Sequence, residues 1–431
     1  MNTINTKSIL AQDALNSNNT WETGINTNDL IIGPSGAGKT RSYVKPNLMQ
    51  CNESVIVADT KGSLLGEVGP MLRQNGYQVI NIDLTDVRNS YGYNPLDFIR
   101  YDSRRKRYLD KDIMTVASIL APVTNSRDPF WEKSARMYIA CMIGYVLEAL
   151  PKEEHSLEYV RKLFSEMPAA DESNNPAPSV FDRLLQELEA EKPDSFAVAK
   201  YQMFKNARTV RTTYECVRMF IAENLNTITG DDASQMYSRP QRLDFRTLGK
   251  TKTAVFLNIS DTDRSMDTMA NLFYTQALQT LCESADKDYP DHRLPVPVRI
   301  ILDDFATNAK IPDFDKTISV IRSREIYVSV ILQSISQLNS IYDPERAKTI
   351  INNCDNWLYL GGTDVDTARY ISLRANKTVN TILDLPLGEA YLFTRGALAK
   401  KVQKFDIKSH ERYHELPEAA AQTECQLDVS A

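Results

Sequence analysis

The sequence is poor in the residues that build metal clusters and disulfide frameworks. It contains four histidines and six cysteines, and the cysteines are scattered without a C-x-x-C pair. This spacing does not suggest a zinc site, and scattered thiols are typical of a reducing compartment. The four histidines do not form a pattern of the catalytic kind.

The chain also lacks a long apolar run and an excess of positive charge. No stretch of about 18 apolar residues is present, and no basic region precedes an apolar core near the N-terminus, so we expect neither a spanning helix nor a secretory signal. The formal net charge is -6 and the pI is near 5.5. This balance excludes a uniformly basic nucleic-acid binder and confines any DNA contact to a local basic surface or an assembled pore.

What the chain does have is enough apolar residues for a large core. It has 431 residues, of which 42% are hydrophobic. This length fits one large α/β domain or two to three smaller domains.

One short segment matches a phosphate-binding loop at every fixed position. The pattern G-x-x-x-x-G-K-[ST] is filled by Gly33, Pro34, Ser35, Gly36, Ala37, Gly38, Lys39 and Thr40. The glycines let successive backbone N–H groups turn toward an anion, a conformation that a Cβ would obstruct. Lys39 is expected to reach the β- and γ-phosphates, and Thr40 to ligate Mg2+. With residues 29–32 as the strand before the loop and residues 41–49 as the helix after it, the pattern predicts nucleotide binding.

Short β-branched runs, each followed by a polar residue, predict a parallel sheet. The runs cover residues 55–58, 79–82, 253–257, 299–302 and 328–332, and the polar residues that follow are Asp59, Asp83, Asn258, Asp303 and Gln333. Nearly continuous apolar runs of this length are typical of buried parallel strands. Ligands of such sheets bind beyond the carboxyl ends of the strands, so we expect one edge to carry the chemistry. Runs at 357–360, 390–393 and 402–405 are expected to extend the sheet.

Helical periodicity replaces the strand pattern between residues 122 and 240. Asp128 is predicted as a helix N-cap, with Pro129 at the first helical position and an apolar stripe along the helix that follows. The strands that end in Asp303 and Gln333 come later and are needed for the nucleotide site. We therefore predict a helical insertion within one α/β domain.

The predicted domain division follows from this insertion. Residues 1–28 are polar and Asn-rich, which predicts an extended lead-in, with simple disorder as the alternative. The acidic tail either recruits a partner or solubilises the chain. The predicted parts are the lead-in at 1–28, the nucleotide-binding domain at 29–124 and 241–408, the all-α domain at 125–240 and the acidic tail at 409–431.

Two adjacent acids end the strand at 299–302. Asp303 is expected to hold hydrated Mg2+ together with Thr40, and Asp304 to polarise the attacking water. The apolar strand before these acids and the upstream phosphate loop favour this interpretation over a solvated acidic loop. Gln333 ends another strand, where an amide orients the water or senses the γ-phosphate, or else caps a neighbouring loop.

Three further charged groups each keep two interpretations open. Arg322 and Arg324 are candidates for an arginine finger that reaches a neighbouring subunit's nucleotide, with surface salt bridges as the alternative. Asp59 and Lys61 contact the metal shell or an adjacent subunit, or else form a helix cap and a surface pair. The basic run at 104–107 either touches nucleic acid or covers a solvated helix face.

Several segments together resemble the coupling-protein ATPases of conjugation and type IV secretion, which are relatives of the septal DNA translocases. Besides the phosphate loop, the matching segments are V-A-D-T-K-G at 57–62, Y-N-P-L at 93–96, D-P-F-W at 128–131, L-D-D-F at 302–305, I-L-Q-S at 331–334 and N-C-D-N at 353–356. The likeness covers residues 28 to 405. The phosphate loop is generic, whereas N-P-L, D-P-F-W and the strand ending in Gln333 are more specific.

The resemblance implies an α/β fold: a RecA-like P-loop domain with an inserted all-α domain, assembled as a homo-hexamer on the cytoplasmic face of a membrane. It implies ATP and Mg2+ as cofactors. The implied function is to recruit a relaxase–DNA complex to a type IV secretion channel and to drive single-stranded DNA transfer by ATP hydrolysis. Relaxosome proteins, channel components and single-stranded DNA are the implied partners. Lys39, Asp304 and Gln333 would act in catalysis, and Arg322 or Arg324 would act in trans.

Two departures from the family pattern lead to alternatives. Asp304 stands where the activating residue is usually Glu, which predicts an altered hydrolysis rate more than altered binding. Family members usually begin with transmembrane helices that anchor the ring, and none is expected here, so a monomer in isolation is the alternative to a hexamer. The alternative function is a nucleotide-gated docking receptor for relaxase or effector proteins with little motor activity.

Overall fold

A nine-stranded sheet contains the segments that the sequence predicts as strands. The computed structural model describes residues 7–123, 127–168, 177–205, 210–226, 228–305 and 310–419, so residues 420–431 of the predicted acidic tail lie outside it. The strands are β1 (Lys7–Ala11), β2 (Ala14–Ser17), β3 (Asp29–Ile32), β4 (Ser54–Asp59), β5 (Gln78–Asp83), β6 (Tyr101–Asp102), β7 (Arg107–Tyr108), β8 (Thr253–Asn258), β9 (Val298–Leu302), β10 (Ile326–Leu332), β11 (Asn356–Tyr359), β12 (Glu389–Thr394) and β13 (Lys400–Gln403).

Helices lie between most of these strands. The α-helices are α1 (Thr20–Thr23), α2 (Lys45–Met49), α3 (Leu64–Gln74), α4 (Asp110–Leu120), α5 (Phe130–Ala149), α6 (Leu157–Ser165), α7 (Val180–Glu191), α8 (Phe196–Phe204), α9 (Arg211–Asn226), α10 (Asp231–Ser238), α11 (Asp267–Asp288), α12 (Phe314–Ile318), α13 (Ile335–Ile341), α14 (Pro344–Asn352), α15 (Val365–Ala375) and α16 (Val379–Leu383). None of the helices in the described part of the chain combines the length and the hydrophobicity needed to traverse a bilayer.

The chain divides into two compact units. The first unit is Met1–Thr85, Asp244–Arg264 and Ala277–Ala431, and the second is Asp86–Leu243 with Ser265–Gln276. These limits differ from the predicted boundaries. The second unit begins well before residue 125, and it contains the antiparallel pair β6–β7 in addition to its helices.

In the first unit, the order of strands in the sheet places the phosphate loop at its centre. The order is β13-β12-β11-β3-β10-β9-β4-β8-β5. The strands from β11 to β5 run parallel, whereas β12 and β13 are antiparallel additions at one edge. The predicted strand runs are confirmed, except that β13 covers only residues 402 and 403 of the run predicted at 402–405. Because β3 pairs with both β10 and β11, the loop that follows β3 emerges between two neighbouring strands.

A buried arginine joins the amino ends of the central strands. Arg299 on β9 is fully buried, and its Nε donates to Glu53 Oε1 at 2.5 Å. Its Nη1 donates to Asp29 Oδ2 on β3 and to Ser329 Oγ on β10, both at 3.2 Å, and the Tyr43 hydroxyl donates to Asp29 Oδ2 at 2.5 Å. Burial by itself would lower the pKa of Arg299. The adjacent Glu53 and Asp29 outweigh burial and raise that pKa above its usual value, so the guanidinium stays charged.

The N-terminal segment is folded against the same unit. β1 and β2 form an antiparallel pair, and the Asn47 side chain bonds both backbone groups of Ile9 at 2.9 Å. Asn28 Oδ1 accepts from the backbone N–H of Val328 at 2.8 Å. The lead-in predicted over residues 1–28 is thus structured throughout its described part, because asparagine amides satisfy core backbone groups that would otherwise be buried without partners.

In the second unit, α5 is the central helix. It contacts α4, α6, α8 and α9. Its predicted apolar stripe is confirmed, with buried side chains at Ala135, Tyr138, Ile139, Met142, Ile143 and Val146. Gly144 permits the close approach of α8, since a Cβ at that position would lie 2.8 Å from the Phe196 ring.

The start of α5 differs from the prediction by one residue. The helix begins at Phe130, and Pro129 rather than Asp128 occupies the N-cap. The Pro129 carbonyl accepts from Lys133 N at 3.1 Å, which closes the first turn. The expected Asp128 cap is therefore wrong.

Replacement of Arg299 by Met is expected to destabilise the protein by about 3–5 kcal/mol, because Glu53 and Asp29 would remain buried without their counter-ion. Chemical denaturation measures the loss. The control is Arg346→Met, which removes a surface pair with Asp343 and should change stability by less than about 0.5 kcal/mol. Equal losses in the two variants would contradict a structural role for the buried arginine.

Candidate functional site

The phosphate loop begins where β3 ends and is held by its neighbours. Gly33 N donates to the Leu332 carbonyl at 3.0 Å. A Cβ at Gly33 would lie 3.0 Å from the Cβ atoms of Ala37 and Leu360, so the close approach requires glycine. Gly36 and Gly38 have φ values of +78° and +89°, the left-handed region that glycine adopts without strain. The loop therefore has the conformation of a backbone anion cradle.

A helical segment leaves the loop, as predicted. Thr40–Val44 forms a π-helical turn, and α2 continues from it with Pro46 in its first turn. Ser42 N donates to the Gly38 carbonyl at 2.7 Å. The backbone N–H groups of the first turn point back toward the loop, where they and the helix dipole favour an anion.

The predicted metal and catalytic acids meet the phosphate loop. Lys39 Nζ donates to the Gly33 carbonyl at 3.0 Å and lies 3.3 Å from Asp304 Oδ1. Thr40 Oγ1 donates to Asp303 Oδ2 at 3.1 Å. Residues separated by more than 260 positions in the sequence are thus brought into direct contact.

Burial sets the electrostatics of this cluster. Burial and the neighbouring Asp304 raise the pKa of Asp303, while Lys39 and the Thr40 hydroxyl lower it in part. Asp304 itself has φ +47°, a left-handed conformation. Its backbone N–H donates to Asp303 Oδ1 at 3.0 Å, so the two acids are held in a tight turn.

Gln333 lies beside the acids. Its Nε2 is 3.5 Å from Asp304 Oδ1, and its backbone N–H donates to Gln337 Oε1 at 3.3 Å. The long first contact is a weak hydrogen bond. The amide is therefore near the position expected for a residue that orients water, and Gln337 on α13 is a neighbour that the sequence did not indicate.

A cavity of about 340 Å3 opens at this edge of the sheet. Its size falls within the range of small-molecule sites. It is lined by loop, helix and strand-end residues, namely Pro34, Ser35, Gly36, Gly38, Lys39, Thr40, Arg41, Lys45, Ala58, Asp59, Thr60, Lys61, Ser63, Leu64, Glu67, Asp303 and Asp304. Asp59 lines the wall and accepts from Leu65 N at 3.1 Å, so it also caps α3.

The predicted arginine-finger residues are bound elsewhere on this chain. Arg324 forms two hydrogen bonds with the Asp286 carboxylate at 2.8 and 2.9 Å. Arg322 Nη2 donates to the Thr20 carbonyl at 3.0 Å. Neither arginine is among the described residues that line the cavity.

Two charged contacts near the phosphate loop were not predicted from the sequence. Lys404 Nζ donates to the Ala37 carbonyl at 3.0 Å, and burial lowers the pKa of Lys404. Lys45 forms an ion pair with Glu67 across the cavity wall. The sequence predicts the strand that precedes Lys404. Nothing in that strand or in the phosphate loop indicates that the two segments meet.

The oxygen donors of the cavity suit magnesium better than a transition metal. Within the described residues no group of three or more His, Cys, Asp and Glu side chains is arranged to hold a metal ion. A hydroxyl and one carboxylate are the kind of sparse oxygen set that Mg2+ uses, with water and phosphate oxygens as the remaining ligands. Thr40 and Asp303 fit this description.

Comparison with known proteins identifies relatives that match most of the chain or parts of it. The family model of the type IV secretory system conjugative DNA transfer proteins matches residues 2–381. Protein VirD4 of Agrobacterium fabrum is 23% identical over 372 residues, covering 81% of this chain and 49% of VirD4. Conjugal transfer protein TraG of Escherichia coli is 25% identical over 128 residues, covering 29% of this chain and 19% of TraG. The chain thus spans about half the length of the VirD4 relatives.

Solved structures show the same fold. The plasmid coupling protein TrwB in complex with ADP and Mg2+ matches with a TM-score of 0.62 at 17% identity, over 88% of this chain and 86% of TrwB. VirB4 of Thermoanaerobacter pseudethanolicus matches with a TM-score of 0.55 at 15% identity, over 93% of this chain and 96% of VirB4. The expected α/β class, a mostly parallel central sheet with a helical region, is confirmed.

The family model covers most of the chain, and all the segments that carry the resemblance lie within the matched residues 2–381. On this ground the protein belongs to the type IV secretory system conjugative DNA transfer family.

Proposed function

We propose that the protein is an ATP-hydrolysing coupling protein that recruits a relaxase–DNA complex to a type IV secretion channel and drives single-stranded DNA transfer. The observation that supports this proposal is the convergence of Lys39, Thr40, Asp303 and Asp304 on one cavity beside a glycine-rich anion cradle. Membership of the conjugative DNA transfer family supports the choice of cargo.

Each group of residues in the cavity would bind a different part of the nucleotide complex. The loop from Gly33 to Thr40 would bind phosphate through its N–H groups, and Lys39 would neutralise the β- and γ-phosphates. Thr40 and Asp303 would hold Mg2+, which when bound offsets the charge that develops on the phosphates. Asp304 would accept a proton from the attacking water, and Gln333 would orient that water.

Assembly would complete the site. We propose a homo-hexamer at the cytoplasmic face of the membrane, in which Arg322 or Arg324 of one subunit reaches the nucleotide of the next. Arg324 would have to leave the Asp286 carboxylate in order to bind the phosphate. Both groups can accept two hydrogen bonds from one guanidinium. Relaxase or relaxosome proteins, channel components and single-stranded DNA are the proposed partners.

One observation favours a second candidate, a nucleotide-gated docking receptor with little turnover. The proposed general base is an aspartate, and its carboxylate already contacts Lys39 at 3.3 Å. A side chain one methylene shorter than the usual glutamate that is also drawn toward the lysine reaches less far toward an attacking water. Measurement of turnover separates the two candidates.

Replacement of Lys39 by Ala is expected to lower ATPase activity by about 100-fold or more, since the charge facing the phosphates is lost. In an oligomer verified by mass measurement, single-stranded DNA should stimulate the wild-type rate, and the stimulation should weaken with added salt. Lys316→Ala, at an exposed lysine paired with Asp313, is the control and should keep full activity. Slow turnover without DNA stimulation would support the docking receptor instead.

Replacement of Asp303 by Asn is expected to stabilise the metal-free protein while weakening Mg2+-dependent nucleotide binding. An aspartate whose folded pKa lies above its unfolded pKa binds more protons when folded, so the stability it contributes is lost as pH rises through the folded pKa. At neutral pH the charged carboxylate therefore costs stability, which the amide avoids. Thermal unfolding in EDTA and nucleotide titration with Mg2+ measure the two effects.

Asp366→Asn is the control for this substitution. Asp366 is 77% exposed and pairs with Arg369 on the same helix turn. It should change neither the unfolding midpoint nor the affinity. A fall in the midpoint for Asp303→Asn would contradict the assigned electrostatic cost.

Replacement of Lys404 by Met is expected to weaken ATP binding about fivefold, with little change in melting temperature. The apolar stem is kept, while the donor that holds the Ala37 carbonyl is lost, and one hydrogen bond is worth about 1 kcal/mol. Isothermal titration measures the affinity. Lys401→Met removes a nearby lysine that pairs with Glu389 and should bind ATP normally. Identical affinities for the two variants would exclude a role for Lys404 in positioning the loop.

A further inference from the structure

The basic run at 104–107 belongs to a hairpin in the second unit and not to a solvated helix face: residues 104–106 lie in the turn and Arg107 lies on β7. β6 and β7 pair antiparallel, with Tyr101 opposite Tyr108. The two rings meet edge to face with centroids 5.1 Å apart. Lys106 occupies the turn with φ +53°. Of the two interpretations of this run, the helix face is wrong, because a left-handed residue and a cross-strand tyrosine pair favour a hairpin.

The hairpin is fixed at its base. Arg100 donates to the Asp112 carboxylate on α4 through Nε at 2.7 Å and Nη2 at 2.6 Å. Leu109 N donates to the Arg100 carbonyl at 2.9 Å, which closes the hairpin at its open end. The tip is therefore presented by a rigid support, so binding to it would cost little ordering entropy.

The hairpin combines exposed cations at its turn with an exposed ring on β6. Tyr101 is 54% exposed, and the Arg105 side chain is 68% exposed. Arg105 pairs with Asp102 at 3.7 Å, a distance typical of a weak surface contact. Among the described residues no carboxylate forms a salt bridge with Lys106 or Arg107, so their charge is open to a ligand.

A groove of about 840 Å3 lies beside the hairpin in the same unit. The turn between α7 and α8 also lines it and contributes Lys192 and Asp194. Glu148 also lines the groove, but its carboxylate accepts from Ser195 Oγ and from the Phe196 and Ala197 N–H groups at the start of α8. Four cations, Arg105, Lys106, Arg107 and Lys192, thus face two acids, one of which is occupied in capping a helix.

We propose that this groove, bounded by the hairpin at 101–108 and the turn at 192–195, is a contact site for single-stranded nucleic acid. A single strand offers both chemistries that the groove matches, namely phosphates for the guanidinium groups and unpaired bases for the tyrosine face. An acidic protein surface would use the cations alone and leave the exposed ring unexplained. The groove shares no lining residue with the nucleotide cavity, and its relevance to DNA transfer rests on the proposed function.

The test is fluorescence anisotropy of the full chain with a labelled oligodeoxythymidylate of about 16 nucleotides, over a salt series. Arg105→Glu should weaken binding about tenfold at low salt and flatten the salt dependence, because at least one phosphate contact is lost. Arg369→Glu is the matched control, since Arg369 is also in an i,i+3 surface pair and is 67% exposed. It should bind as the wild type does.

Tyrosine variants test the stacking half of the proposal. Tyr101→Ala should weaken binding about five- to tenfold, whereas Tyr101→Phe should retain it, because a phenyl ring stacks on bases equally well. Thermal melting of both variants checks that the hairpin substitution leaves the fold intact. If Tyr101→Ala has no effect and polyglutamate competes as well as the oligonucleotide, the groove is a charge patch for an acidic protein and the proposal fails.

Parallel titration with an ATP analogue separates this proposal from the proposed function. If all three proteins, namely the wild type, Arg105→Glu and Arg369→Glu, bind the ATP analogue normally and bind the oligonucleotide with equal affinity, only the nucleic-acid site is overturned. If the wild type does not bind the ATP analogue but binds the oligonucleotide more tightly than Arg105→Glu does, the proposed motor function is overturned and the nucleic-acid site is supported. A wild-type chain that does not bind the oligonucleotide at low salt also overturns the site.

Discussion

The placement of the proposed nucleotide site depends on the buried contact between Arg299 and Asp29. Each of three central strands carries one polar residue of this network, at Asp29, Arg299 and Ser329, and each carries a site residue four positions later, at Gly33, Asp303 and Gln333. At about 3.3 Å per residue, the two sets lie roughly 13 Å apart along the strands. The charge pair at one end of the sheet therefore fixes the register of the strands, and that register sets the positions of Gly33, Asp303 and Gln333 at the other end.

The same network explains why an Asn-rich N-terminal segment is folded. Ser8 on β1 accepts from Arg299 at 3.2 Å and donates to Asn18 at 2.7 Å, so the hairpin covers the guanidinium and completes its hydrogen bonds. A buried arginine whose donors were left unsatisfied would carry a desolvation cost of several kcal/mol. The N-terminal hairpin is thus part of the core of the first unit, although its composition is that of a surface loop.

Local patterns and long-range contacts differ in how well the sequence reveals them. The strand at 299–302 and the loop that contains Lys39 could be predicted, since an apolar run or a glycine spacing carries its own signal. The meeting of Thr40 with Asp303 followed from the rule that strand ends share an edge, combined with family likeness. The contact of Lys404 with Ala37 could not be predicted, because its partners come from different segments and neither has a characteristic pattern. The hairpin at 101–108 was missed because two paired residues are too few for a visible alternation.

The backbone at Asp304 offers a physical reason for the departure from glutamate. Its φ of +47° is unusual for a residue with a side chain, and aspartate tolerates that region far better than longer side chains do. Such strain costs on the order of 1–3 kcal/mol and persists where surrounding contacts hold it, here the Asp303 carboxylate and Lys39. The short side chain reduces reach toward water, while the turn that it permits brings both acids to the phosphate loop. In the proposed mechanism, the position of the two acids and the reach of Asp304 toward water are therefore coupled, and the short side chain favours the first over the second.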